Sequence, residues 1–234
     1  MKRNLKLYLV LVAVLSVSTA AFCQPFEGNI NMQITSAKMA QPISLAISTK
    51  GDKTAMQMDM PQGSIKVYFD KAAGKMTTVM GKMGMQMDIP KTNDAIKEKS
   101  SESGIDIVNS GEKKMINGHS SVRYIATTKD GLKSNWWMTD DLPKSLINSL
   151  HEIYKNSGKA AMAARTSAPA SAAIAEMFKK GLVPIQVEML KDGIPETTIT
   201  MMSFEQKHLP DSEFVIPSDI MIRPMPGMPG MGGE

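Results

Sequence analysis

KTAMQMDMPQGSIKVYFDKAAGKMTTVMGKMGMQMDIP, residues 53–90, decides the fold. Its apolar residues recur at every second position, and turn residues interrupt the pattern every six to eight residues. That is the signature of short antiparallel strands. Gln62-Gly63, Ala73-Gly74 and Gly81 to Gly84 separate Lys53–Met60, Ile65–Asp70, Lys75–Met80 and Met85–Ile89. Connections this short force successive strands to pair as a meander. Side chains alternate across a strand, so Thr54, Met56, Met58 and Met60 share one face while Lys53, Gln57 and Asp59 take the other. Met83, Met85, Met87 and Ile89 repeat the arrangement, and M-Q-M-D-M-P at 56–61 and M-Q-M-D-I-P at 85–90 read as a local repeat.

Working outward, Glu27–Thr35 and Ile43–Thr49 predict two earlier strands, and Gly51-Asp52 turns the chain into the quoted stretch. The polar run Lys91–Ser103 is expected to be a loop or short helix. Strands resume at Ile105–Met115, Ser121–Thr127 and Lys133–Thr139, with Asn117-Gly118 and Lys129-Asp130-Gly131 as hairpin signals. Asp141 is expected to cap a helix with Pro143 in its first turn and the apolar stripe Leu142, Leu146, Ile147, Leu150, Ile153 and Tyr154, ended by Asn156-Ser157-Gly158. A second helix follows, with Ser167 as cap, Ile174, Met177 and Phe178 on one face, and Gly181 as terminator. The Ala-rich Lys159–Thr166 between them is helical or mobile. Val183–Leu190 and Thr197–Gln206 form a last hairpin, and Phe214-Val215-Ile216-Pro217 is expected to lay a strand on an edge.

Residues 1–23 read as a signal peptide, with a basic start, an apolar run and small residues before the cut. Cleavage is expected near Cys23/Gln24, giving a periplasmic or secreted protein. Lipid anchoring at Cys23 is the lesser alternative, because Phe22 replaces the small residue a lipoprotein signal wants there. The run is shorter than the ~20 residues that span a bilayer, and no later segment is long or apolar enough, so no transmembrane segment is expected in the mature chain. Residues 24–222 then form one domain, and 223–234 a Met/Pro/Gly-rich flexible tail. The formal charge is +4, but without Lys2, Arg3 and Lys6 the balance is 24 basic against 23 acidic residues. Near-neutrality without charge blocks argues against nucleic acid as a partner. Cys23 is the single cysteine, which excludes disulfide and thiol chemistry from the fold.

The 22 methionines carry the functional argument. Roughly ten strands against two substantial helices leave a wide sheet with too little cover, so the pattern predicts an α+β, mainly β chain. It is built as a curved antiparallel sheet with two or three helices over a groove. Met56, Met58, Met60, Met83, Met85 and Met87 floor that groove, with Trp136 or Trp137 as a contact aromatic and the other of the pair in the core. An unbranched, polarizable side chain repacks around apolar partners of different shape, which suits an apolar or acylated ligand. Two alternatives stand beside this. Thioethers bind Cu(I) or Ag(I), and Met58, Met85 and the tail residues Met225, Met228 and Met231 are the candidates. The other is a filled core, which leaves a structural or partner-binding module for another envelope protein.

No cofactor and no enzyme activity are indicated. His119, His151 and His208 lack any metal-ligand spacing, Asp140-Asp141 is explained by helix capping, and no nucleophile elbow, P-loop or dinucleotide fingerprint occurs. F-E-G-N-I at 26–30, G-E-K-K-M-I-N-G at 111–118, W-W-M-T-D-D-L at 136–142 and L-P-D-S-E-F-V-I-P at 209–217 resemble an uncharacterised domain family of exported Gram-negative envelope proteins. The resemblance implies a LolA-like, outer-membrane lipoprotein carrier fold: a half-barrel with helices on its concave face. It implies the binding or carrying of an acylated ligand only by analogy of fold, and it transfers no site residues.

Overall fold

In a computed structural model, which describes residues 25–89, 105–163 and 171–225, the alternating segments form one curved, open sheet of twelve strands. The strands are β1 (Gly28–Ser36), β2 (Ile43–Lys50), β3 (Lys53–Met60), β4 (Gly63–Asp70), β5 (Lys75–Met80), β6 (Met83–Asp88), β7 (Asp106–Ile116), β8 (His119–Thr127), β9 (Lys133–Thr139), β10 (Val183–Lys191), β11 (Ile194–Gln206) and β12 (Met221–Pro224). Their order is β12-β6-β5-β4-β3-β2-β1-β11-β10-β9-β8-β7. Two meanders, β1–β6 and β7–β11, therefore join where β1 pairs with β11. The turns Asn117-Gly118 and Asp192-Gly193 both carry positive φ at both residues (48° and 86°, 53° and 80°), the geometry of a two-residue hairpin whose twist matches its strands.

Two helices, α1 (Lys144–Ala163) and α2 (Ser171–Lys179), pack on the concave face. Leu146 and Ile147 of α1 and Ile174 and Phe178 of α2 meet Ile30, Ile47, Val183, Ile185 and Met201 of the sheet in one core. The helices meet each other through aromatic rings, His151 stacked on Phe178 at 5.1 Å and Tyr154 tilted against it at 5.8 Å. Gly181 ends α2 as its pattern predicts. At φ 76° it lets its own N–H reach the Phe178 carbonyl and the Leu182 N–H reach that of Met177.

Four expectations need correction. Gly158 does not end α1, because the Ala-rich stretch after it favours helix and one internal glycine costs only about 1 kcal/mol relative to alanine. Asp141 does not cap α1; the Pro143 carbonyl accepts from Ile147 N–H, and the Asp141 carboxylate turns back to the sheet. The edge strand is not at 214–217, where Asp211–Phe214 instead makes a 3-10 turn, but at β12. Arg223 and Pro224, assigned by sequence to the tail, complete that strand, where a proline is tolerated because an edge strand leaves alternate N–H groups unpaired. The leader, Lys91–Ser103, the Ser167 cap and Met228 and Met231 lie outside the described residues.

Between β11 and β12 the chain crosses the convex face as a strap that passes six strands. Its start is clasped by charge: Glu27 accepts from the Leu209 N–H at 2.7 Å and lies 3.0 Å from His208 Nδ1, while Lys50 donates to the Leu209 carbonyl at 2.8 Å and pairs with Asp211 at 2.9 Å. Its end rests on Gly84, where an added Cβ would stand 3.1 Å from Ile220. The arrangement leaves Tyr68, Thr77 and Val79 buried on the face opposite the described helices.

Truncating Leu146, which is 0% exposed, to alanine is expected to lower unfolding free energy by about 2–5 kcal/mol in denaturant titration. The clasp adds a pH dependence. The Leu209 N–H holds Glu27 below the ordinary glutamate value of 4.5, and Lys50 holds Asp211 below 3.8. Carboxyls depressed in the folded state stabilise it above those ordinary values and lose that contribution as pH falls through the lower folded ones. Hydrogen exchange at the Leu209 amide should therefore accelerate, beyond the intrinsic rate, below about pH 4 while the Ile47 amide stays protected.

Candidate functional site

Strand register lines the concave face into rows. Ile30, Ile47, Met56, Val67, Thr78 and Met85 are successive cross-strand partners from β1 to β6. A parallel row runs Met32, Leu45, Met58, Ile65, Met80, Met83 and Met221. A third runs Thr49, Thr54, Phe69, Met76 and Met87. Exposure climbs along the first two from the core outward, whereas the third stays covered around buried Phe69. Ile30 and Ile47 are 0% and 3% exposed, Met56 and Met58 are half-buried, and Met85, Met80, Met83 and Met221 reach 44%, 52%, 56% and 59%. The described helices sit over the middle of the sheet, and at the β5-β6-β12 end of this face Met80, Met83, Met85 and Met221 form an exposed thioether patch continuous with the core.

The register thus brings Met56, Met58, Met60, Met83, Met85 and Met87 onto one face. It does not bring Met58 and Met85 together. Strands β4 and β5 stand between β3 and β6, so the two sulfurs are about three strand spacings, ~14 Å, apart and cannot share an ion. This corrects the sequence-based Cu(I) pair. Of the tail candidates, Met225 donates its N–H to the Gln86 carbonyl at 2.8 Å. Sequence reasoning passed over Met76, Met80 and Met221. The alternation of the quoted stretch already places the first two on this face, but Met221 joins through a parallel pairing 138 residues away from Met83, which no local pattern reveals.

The tryptophans split. Trp136 lies on the concave face, opposite Val187 and Tyr124. There it lines an apolar pocket of about 350 Å³ with Ile107, Ala126, Leu132, Met189 and Ile174 of α2. Trp137, the other member of the pair, is buried on the opposite face beneath Lys114, whose Nζ stands 3.9 Å from the ring, and donates its Nε1–H to Glu188 at 3.1 Å. It is not a groove residue. A wider, more polar cleft of about 680 Å³ lies between α1 and the ends of β2–β4, lined by Thr49, Thr54, Phe69, Asn148 and Glu152, with the Lys71–Glu152 ion pair at 2.9 Å on its rim.

One polar pair has catalytic appearance. Asp141 Oδ1 lies 2.6 Å from His119 Nδ1, and the carboxylate also accepts from the Ser120 N–H and the Thr139 hydroxyl. Desolvation acts to raise the Asp141 pKa, but these hydrogen bonds outweigh it and hold the carboxyl below its usual range. The nearby buried Ser121 hydroxyl donates to the His119 carbonyl at 3.4 Å rather than to the ring, and the His119–Asp141 pair fastens the β7–β8 hairpin to the entry of α1. Among the described residues, no three His, Cys, Asp or Glu side chains group to hold a metal, and no helix is long and apolar enough to cross a membrane.

A family model described as a domain of unknown function, DUF4412, matches residues 26–220. No curated protein matches the sequence. Among solved structures, PNGF-II is similar at 12% identity over 86% of this chain and 31% of its own, with a TM-score of 0.42. MucB of the Pseudomonas aeruginosa MucA/MucB complex is similar at 10% identity over 84% of this chain and 58% of its own, with a TM-score of 0.44. A DUF1329 family protein from Desulfovibrio piger is similar at 11% identity over 86% and 94%, with a TM-score of 0.31. The chain thus spans about a third of the first of these and under three-fifths of the second.

Oxidation tests the rows. Limited hydrogen peroxide should convert Met80, Met83, Met85 and Met221 to sulfoxides well before Met138 and Met201, which are buried, as read by peptide mass mapping. Equal rates across the two groups would contradict the assigned face.

Proposed function

The chain belongs to the DUF4412 family, a domain of unknown function, and we propose that it is a non-enzymatic binding protein of the cell envelope that holds an acyl chain or similar apolar ligand on its methionine-lined concave face. The observation that supports this most is the gradient of exposure along the Leu45–Met58–Ile65–Met80–Met83–Met221 row. A core that simply ended would end in polar residues. This one continues as thioethers to the sheet edge, where covering each exposed methionine gains part of the ~1.5–3 kcal/mol of a full burial. Met56 and Met58 anchor the floor, Met85 and Met87 line its outer part, and Met60 lies at its rim. Trp136 and its pocket offer a second apolar seat on the same face. The sequence of residues 1–23, read as a signal peptide, supports an envelope location.

Native mass spectrometry of protein purified from envelope fractions should find a copurifying lipid, and a fluorescent fatty acid should brighten on binding. Met80→Lys with Met85→Lys should weaken that binding by about tenfold or more, the equivalent of ~1.4 kcal/mol, while leaving the unfolding midpoint nearly unchanged because both positions are exposed. If no lipid copurifies and the probe does not respond, the reading fails and a partner-binding module takes its place.

A further inference from the structure

The β5–β6 connection is the two-residue turn Gly81-Lys82, which makes Met80 and Met83 direct cross-strand partners. On the other side of β6 the strap returns and sets Met221 beside Met83, fixed by the Met221 N–H donating to the Lys82 carbonyl at 3.0 Å. Three thioethers from three adjacent strands therefore stand abreast on one face. Neighbouring strands are ~4.8 Å apart, and opposed Cβ atoms ~4.5–5.5 Å. Met80 and Met221 flank Met83 and are two spacings, ~10 Å, apart, and each side chain is unbranched with three rotatable bonds, so the outer two sulfurs can lean inward over Met83. With 52%, 56% and 59% exposure, none has to leave a packed position to do so.

The geometry points to a three-thioether site, Met80, Met83 and Met221, for a soft monovalent cation, Cu(I) or Ag(I). The row itself holds no carboxylate or imidazole, so Ca²⁺, Mg²⁺ and Zn²⁺ find none of their preferred ligands in it, whereas thioethers select Cu(I). A trigonal set also uses residues that sequence spacing could not join, since Met221 arrives across the convex face. One contact opposes the ion. The Arg223 guanidinium lies 3.7 Å from the Met221 sulfur and must swing away, so its charge limits affinity. Binding would tie β12, paired through only four residues, to the β5–β6 turn. This inference does not rest on the apolar-ligand reading.

Competition titration of the purified protein with Cu(I) against a chromophoric chelator, under anaerobic reducing conditions, tests it. One equivalent should bind more tightly than to a free Met-Gly-Lys-Met peptide. Met83→Leu or Met221→Leu should each weaken binding at least tenfold. Arg223→Ala should tighten it, and Met58→Leu or Met228→Leu with Met231→Leu should leave it unchanged. In a second readout, Ag(I) should shift the methyl resonances of Met80, Met83 and Met221 together in protein labelled at methionine methyls. Affinity no tighter than the peptide's, indifference to Met83→Leu, or loss in the Met228/Met231 variant would each overturn the proposal.

Discussion

The pairing of β1 with β11 is the constraint on which the rest depends. It is the seam between the two meanders, the strand pairing that sets how the β1–β6 half and the β7–β11 half face each other. The approach is so close at one end that a Cβ on Gly28 would stand 2.0 Å from the Glu205 carbonyl oxygen; only glycine fits there. The register then sends Ile30 inward and Asn29 and Asn31 outward. A slip of one residue would bury both asparagines and expose Ile30. An irregularity where β11 carries one extra residue opposite Asn31/Met32 keeps both Phe204 and Met201 on the helix-bearing side, which fills the core beneath α1 and α2.

From that seam the cover runs out in both directions, and the two halves solve the shortage differently. On the β8–β10 side the convex face is closed by a polar network. Glu188 accepts from Trp137, Gln186 and Asn135 and lies 3.5 Å from Lys114, whose ammonium also caps the indole. A carboxylate that little exposed survives because each oxygen is hydrogen-bonded. On the β3–β6 side the strap does the same work with apolar residues and the Glu27–Lys50–Asp211 clasp. Among the described residues, the outer part of the concave face around Met80, Met83 and Met221 has neither device, and it is where the exposed thioethers collect.

The proposed function rests on this distribution. The same flexible, polarizable side chain serves in the core at Met201, half-buried at Met56 and open at Met83, so the face grades from fixed packing to adaptable surface. The His119–Asp141 pair, which in isolation has the look of chemistry, is occupied in holding a hairpin to a helix.

The sequence by itself determined the strands, their meander and the face each methionine takes, because alternation has a period of two and the hairpin turns are a few residues long. Lys53–Met60, Lys75–Met80 and Lys133–Thr139 form as read, and Ile174, Met177 and Phe178 bury the face their helical spacing indicates. Which strands become neighbours beyond the hairpins was decided only by the tertiary structure. Met56 and Met85 look alike in sequence, yet β4 and β5 stand between them; Met221 is remote in sequence, yet lies beside Met83. Adjacent Trp136 and Trp137 were certain to face apart, but which one met the concave side depended on the pairing of β9 with β10, and that in turn on the seam. Local patterns fix side-chain direction through backbone sterics. Cover and exposure are sums over elements far apart in the chain, and no window of residues contains them.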